Sequence, residues 1–507
     1  MKSYLGIEFG STRIKAVAIG EDFSPLSSGD HVWKSEYKDN VWTYSLDEVW
    51  KGLKEALSGV KDRDSVVSMG ISAMMHGYLA FDADWNLLVP FRTWQNTITA
   101  EASEKLTEEF GFNVPQRWSI SHLYQAVLNK EAHIGKIAHI TTLAGYVHYM
   151  LTGVNALGIG DASGVFPIDS ETLDYDANMI KKFDELIAGC GLPWKVSDVL
   201  PAVLPAGAEA GSLTEKGAAL LDNMLSAGIA FAPCEGDAGT GMTATNAVSA
   251  GTGNVSAGTS IFSMVVLDKP LSKVYPEIDM VTTPTGKPVA MVHCNNCTND
   301  SNAWFGILRE TVELFGGNVD TGELYTKIYR KSLEGDKDCG GVVSINYMAG
   351  EGVTHLDAGR PMVVRKPDSA FTLANFLRAN LYSSMATLKI GMDILAAENV
   401  KIDSLTGHGG LFKTPEVGQS YMAAACKAPV TVMETAGEGG PYGMALLAAY
   451  RSEEGSDTLE AFLRNKVFAS VKSTTMQPDS ADAEGFAKYL ENFKAVLTAE
   501  KAAVENF

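Results

Sequence analysis

Cysteine is scarce, 6 in 507 residues, and four of the six stand singly along the chain. That spacing excludes a disulfide framework and suits a reducing compartment. The one local pair lies in residues 293–297, HCNNC. With no second ligand pair near it, this segment reads as buried free thiols in preference to a zinc or redox site. Long apolar runs are also missing, since nothing approaches the ~18 consecutive residues of a membrane span. Residues 1–13 carry Glu8 and Arg13 where a signal peptide needs an apolar core. The expectation is a cytoplasmic protein with no membrane partner. Positive charge is in deficit, with 41 Lys and Arg against 61 Asp and Glu and a formal net charge of -20. This argues against nucleic acid as a partner. It does not exclude a nucleotide, which backbone amides, one or two cations and a metal ion can hold whatever the overall charge.

What the chain does have is 46% apolar residues and length enough for two large domains. Its most unusual stretch is residues 229–262, with three AGT triplets and the acid-Gly-acid cluster Glu235, Gly236 and Asp237. Such glycine density is expected where a backbone turns sharply or meets a ligand closely. Asp237 follows the apolar run 229–232 by a few residues, at the mouth of a buried strand. Two readings stay open for it: a general base, or the cap of a helix over 240–247.

Alternation predicts a strand over 4–9, a break at Gly10, Ser11 and Thr12, and a second strand over 14–19, together a hairpin. Its turn offers N–H groups and hydroxyls to phosphate, with Glu8 near enough to hold a metal-bound water. The same order returns half a chain later, in residues 255–257, Gly258, Thr259, Ser260 and residues 261–266. A repeated unit predicts two domains of similar design with a triphosphate between the two turns. Elsewhere the spacing predicts a helix over 45–59 opened by a Ser45–Glu48 capping box. It also predicts a strand over 66–72 leading to His76, a strand over 87–89, a helix over 143–151, and a tight loop over 158–164. Residues 181–219 read as connecting structure. The second half reads as a helix over 371–397, a strand over 402–406 and a glycine turn at 407–410. A helix N-capped by Thr414 follows, with Pro415 and Glu416 in its first turn. The glycines of AGEGGPYG, residues 436–443, would let the next helix approach a flat ring, and an amphipathic helix spans 481–507.

These pieces, in this order, resemble the FGGY carbohydrate kinases, most closely the xylulose kinases. The stretches that carry it are GIEFGSTRIKA, MMHG, RTWQN, LAGYVHYMLTG, GDASG, CEGDAG, AGTS, GHGGLFKTP and AGEGGPYGMALLAAY. The resemblance implies an α/β fold of two actin-like, ribonuclease-H-like domains with a nucleotide and sugar cleft between them. It also implies phosphoryl transfer from ATP, with Mg2+, to a primary hydroxyl of a small ketose, D-xylulose first. Other ketose or polyol kinases (ribulose, fuculose or rhamnulose type) and a non-catalytic sugar or nucleotide sensor are the alternatives. The domains are placed at 1–249 and 250–455, with a helical extension over 456–507.

By the same carry-over Asp237 is the base, and Met75, His76, Gly77, Trp94, Asn96 and Asp237 contact the sugar. Gly10, Ser11, Thr12, Lys15, Gly258, Thr259, Ser260, Gly409, Gly410, Lys413, Glu438, Gly439 and Gly440 contact the nucleotide, and Glu8 and Asp237 face the metal. Three positions depart from the family pattern: Glu8 for the usual Asp, Asn96 for the Asp of a WND triplet, and Ala238 for the usual amide residue. Assembly state, a homodimer included, stays open.

Overall fold

The computed structural model describes residues 2–61, 63–453 and 457–507. The division placed at 455/456 lies outside the described residues. The chain forms two compact units. One gathers Met1–Ala250, Val266–Val289 and Glu438–Ser470; the other gathers Gly251–Val265, Ala290–Gly437 and Val471–Phe507.

The first unit is built on a sheet in the order Ala230–Phe231, Val66–Ala73, Ser3–Phe9, Arg13–Gly20, Pro25–Val32, with Glu235–Gly236 also on Val66–Ala73. Ser3–Phe9 and Arg13–Gly20 pair antiparallel with Glu8 opposite Lys15, which is the hairpin the alternation predicts. Ser3–Phe9 runs parallel to Val66–Ala73. Parallel central strands bury both faces. Accordingly Ser68, Met69, Gly70, Ile71, Ser72 and Ala73 of Val66–Ala73 are buried in succession.

Helix Gly439–Ser452 lies on that sheet at a separation only glycine permits. A Cβ on Gly6 would stand 2.0 Å from the Pro441 carbonyl oxygen, and one on Gly443 would stand 2.0 Å from that of Thr240. The glycines of residues 436–443 thus serve close packing of a helix on a strand and on helix Asp237–Ala244. Gly439 to Gly443 are themselves the first turns of this helix.

Other expectations are corrected in the same unit. Helix Leu46–Gly59 forms with Val49, Leu53, Ala56 and Leu57 buried, but its N-cap Ser45 makes no side-chain cap bond. Glu48 is drawn instead to Lys51 and His31, so the capping box does not close. Residues 158–164 are not only a loop, because Ile159–Ala162 makes a helical turn. The stretch 181–219 carries much of helix Ala177–Ile187, capped by Asp176, and helix Glu215–Leu220, capped by Thr214. Residues 87–89 form no strand beyond a single bridge from Leu87 to Phe81.

In the second unit Thr252–Ala257 and Ile261–Val266 form the second hairpin. Thr252–Ala257 also runs parallel to Ser404–His408, which continues to Val430–Met433 and Ser473–Met476. Helices Leu373–Ala397, Val417–Cys426 and Ser480–Asn506 pack together around Tyr382, Tyr421 and Tyr489. The fully buried Arg378 lies over two of these rings and pairs with Asp482. The helix expected from Thr414 starts only at Val417. Its N-cap is Glu416 at φ 73°, so Pro415 precedes the helix instead of opening it. Among the described residues no helix is long and apolar enough to cross a membrane.

Candidate active site

The first unit brings together most of the residues singled out from the sequence. Its turn at Gly10 is closed by the Gly10 N–H donating to the Arg13 carbonyl at 3.0 Å. The turn's own carbonyls are tied back by ring donors: Trp33 Nε1 to Gly10 at 2.7 Å and Tyr44 Oη to Ser11 at 2.7 Å. Thr12 accepts from the Trp33 N–H. Trp94 closes on the same turn, its Nε1 3.3 Å from Ser11 Oγ. Fixing the carbonyls in this way stiffens a turn of the type that cradles phosphate.

Asp237 is the first residue of helix Asp237–Ala244, whose N-cap is Gly236 with no side-chain cap bond. The cap reading therefore fails on geometry. Asp237 Oδ1 instead accepts the N–H of Met75 at 3.1 Å, from the MMHG stretch. Its side chain keeps an exposed face, yet burial of the surrounding site lifts its carboxyl above the usual carboxylate range against the pull of the Met75 N–H. Glu8 is half-buried and its carboxyl is pushed up to about 8, first by burial and then by the charge of Asp237, with Lys15 opposing. Gly440 makes room for Glu8, since a Cβ there would lie 2.2 Å from Glu8 Oε1. Lys15 Nζ is 3.4 Å from the Glu438 carbonyl and 3.6 Å from Glu438 Oε2.

On the sugar side His76 sits at φ 71° and Gly77 at φ 87°. His76 Nδ1 donates to the Gly164 carbonyl at 3.1 Å, its ring lies against Trp118, and burial lowers its pKa to about 3. The imidazole is thus neutral, with Nε2 an acceptor. Asn96 is turned away into structure: its Oδ1 accepts the Trp42 N–H and its Nδ2 donates to the Trp42 and Thr93 carbonyls. Arg92 is buried and ion-paired with Glu131.

The second unit holds Gly258, Thr259, Ser260, Gly409, Gly410 and Lys413. The parallel pairing that sets Ser256 opposite His408 brings the two turns side by side. A Cβ on Gly409 would lie 2.4 Å from the Ala257 carbonyl oxygen, and its φ is 99°. Lys413 is exposed and bonds back to Gly410 through its N–H. The HCNNC segment finds a place here. The Cys297 N–H donates to the Thr259 carbonyl at 3.0 Å, and Thr298 donates to the Gly258 carbonyl through both N–H and Oγ1. Cys294 and Cys297 are buried free thiols, and burial pushes both up.

Sequence reasoning noted Glu235 beside Asp237 and the GDASG stretch but gave Glu235 and Asp161 no role, and both are buried acids behind Asp237. Glu235 is pushed up to about 8, by burial and then by the charge of Asp161. Asp161 is pushed up to about 7, mainly by burial. Glycines at 158 and 160 were the available signal, but their partner lies 75 residues away.

Family models match both halves of the chain: the N-terminal domain of the FGGY family of carbohydrate kinases over residues 3–243, and its C-terminal domain over residues 253–452. The chain belongs to the FGGY carbohydrate kinases. It is therefore a phosphotransferase with the two-domain, actin-like fold of that family. A xylulose kinase of Haemophilus influenzae is 22% identical over 432 residues, 80% of this chain and 82% of that protein. The xylulose kinase structure from Rhodospirillum rubrum superposes with TM-score 0.81 at 17% identity, over 100% of both chains. A gluconate kinase structure from Lactobacillus acidophilus also reaches TM-score 0.81, at 15% identity over 100% of this chain and 99% of that one. At such identities structural likeness carries the fold and leaves the sugar open.

Proposed function

We propose that this FGGY kinase transfers the γ-phosphoryl group of ATP to a primary hydroxyl of a small neutral ketose, D-xylulose. The observation that carries the reading is Asp237, held by the Met75 N–H beside Glu8 where the hairpin turn, the MMHG stretch and the CEGD stretch meet. In this reading Asp237 takes the hydroxyl proton as the sugar oxygen bonds to the γ-phosphorus and the bond to the β–γ bridging oxygen breaks. His76 Nε2, an acceptor only, receives a sugar hydroxyl. Gly10, Ser11, Thr12 and Lys15 face phosphate, as do Gly258, Thr259 and Ser260. Gly409, Gly410, Lys413 and Glu438 to Gly440 serve the nucleotide, and the domain division at 249/250 belongs to the same proposal.

Mg2+ fits the carboxyls present. The Glu8 carboxyl is raised first by burial and then by the charge of Asp237, a repulsion a divalent cation relieves, and Mg2+ takes one or two carboxylates plus phosphates and water. Bound there it would neutralise charge on the transferring phosphoryl group. Among the described residues no cluster of three acid, His or Cys ligands forms. Glu8 and Asp237 are the donors this chain would offer.

A neutral sugar is favoured over an aldonate because the one cation of the RTWQN stretch, Arg92, is consumed by Glu131. The xylulose kinase relatives support the choice of ketose. A coupled ADP-release assay over pentuloses, hexuloses, polyols and sugar acids tests it. D-xylulose should give the highest kcat/KM, and faster turnover of gluconate than of any ketose overturns the reading.

A further inference from the structure

Glu235 is 1% exposed and sits one residue before the Gly236–Asp237 step. Its Oε2 accepts the Asp161 N–H at 3.0 Å and its Oε1 the Gly160 N–H at 3.3 Å. The carboxyl fills space that two glycines leave open: a Cβ on Gly158 would stand 2.4 Å from Oε1, and one on Gly160 would stand 2.3 Å from Oε2. At the other end of the same segment the Gly164 carbonyl accepts His76 Nδ1. A Cβ on Gly164 would lie 2.6 Å from that nitrogen and 2.7 Å from Met75 Cε. Between the ends, Asp161 Oδ2 accepts from Thr142 Oγ1 at 2.6 Å, while Oδ1 is buried without a partner and abuts the face of Gly236. The Met75 N–H closes the circuit on Asp237.

We infer that Glu235 is a positioning residue, and that residues 158–164 form a bracket holding Asp237 and His76 at a fixed separation. Every link from Asp237 through Met75, His76, Gly164, Gly160 and Glu235 back to Asp237 is a hydrogen bond or a short run of backbone. A shift at Glu235 therefore moves base and sugar contact relative to one another. Two oxygens are required, because a glutamine accepts at one position only and turns an NH2 toward the second N–H. That N–H would then be buried and unpaired. A buried carboxyl is a costly way to fill space, which a methyl group could fill without burying a polar group. Misplacement by about 1 Å costs on the order of 10²-fold in rate.

The inference rests on the proposed roles of Asp237 and His76, and the test separates the two. Steady-state kinetics with D-xylulose and Mg-ATP are measured on the full chain carrying Glu235→Gln, and on the double variant Glu235→Ala with Gly160→Ala, whose added methyl refills the vacated space. Both should lose about tenfold or more in kcat/KM for D-xylulose, while KM for ATP moves less than about twofold. The double variant should melt below the parent, because the Gly160 and Asp161 N–H groups both lose their acceptor, and it is assayed well below its own Tm. Either variant retaining kcat/KM for D-xylulose within about twofold of the parent overturns the inference, as does an equal change in KM for ATP. If Glu235→Gln does not fold, the double variant decides by the same thresholds. Asp237→Asn is assayed alongside: if it keeps parental turnover, the proposed function has failed, whereas an inactive Asp237→Asn beside a parental Glu235→Gln sinks only the bracket.

Discussion

The two hairpins share a plan and differ in what they hold. Each is an antiparallel pair whose first strand also runs parallel to a neighbour, and each turn has its carbonyls tied back by donors from elsewhere in its own unit. In the first unit those donors include the Trp33 and Tyr44 rings; in the second they are Cys297 and Thr298. The turns close differently, Gly10 N–H to Arg13 but Gly258 N–H to Ser260, so the second is one residue tighter. Two residues before each leading glycine stands Glu8 in one and Ser256 in the other. Opposite them stand Lys15 and Phe262. A common scaffold therefore presents an acid and a cation in the first unit and neutral groups at the matching positions of the second, which is why the proposed base and metal donors are sought on the first.

The comparison breaks most directly at Asp237. Asp237→Asn keeps the shape and the bond to Met75 but removes basicity, so turnover should fall by about 10² to 10⁴ while KM for ATP and Tm stay near the parent's. Parental turnover would move the chemistry out of the first unit. A paired substitution sharpens the contrast between hairpins. Glu8→Ala should lower kcat about tenfold or more, with a smaller change in KM for sugar, whereas Ser256→Ala should stay within about twofold. Equal losses at the two positions would make the hairpins functionally equivalent.

Stability should show the same asymmetry. Ala at Gly443 gains roughly 0.5–1 kcal/mol of helix propensity. It also drives a Cβ to 2.0 Å from the Thr240 carbonyl. Overpacking of that kind costs about 1–3 kcal/mol, so the clash wins and Tm falls. Gly258 has open space around it and no positive φ, and Gly258→Ala should stay within about 0.5 kcal/mol in a urea titration.

The smallest effect is in pH. His76 titrates near 3 when folded, because burial and Arg117 disfavour its charge. Between its unfolded value of about 6.5 and that value the native state binds fewer protons than the unfolded chain, so stability is lost as pH falls through this window. His122 and His148, lowered to about 3 and about 4 in the same unit, act with the same sign. His76→Gln should therefore lose less Tm between pH 7 and pH 5 than the parent does. An identical loss would remove His76 from the acid limb.

Alternation and turn residues were enough, without any structure, to define both hairpins, the strand Val66–Ala73 and the helices Leu143–Thr152 and Leu373–Ala397. They also placed Asp237 at the end of a buried strand. These features depend on neighbours within a few residues, where the periods of strand and helix and the freedom of glycine at a turn act directly. The tertiary structure decided what each candidate faces. Ser45 forms no capping box because Glu48 meets His31 from a neighbouring strand, and Asn96 is spent on Trp42. The glycines of residues 436–443 answer to Gly6, Glu8 and Thr240, and the HCNNC segment to the carbonyls of Gly258 and Thr259. Glu235 acquires its two amide donors only when residues 158–164 arrive beside it. Those partners are tens to hundreds of residues apart, and a hydrogen bond or a missing Cβ at such separation leaves no periodic trace in the chain, because its geometry exists only once both elements are packed.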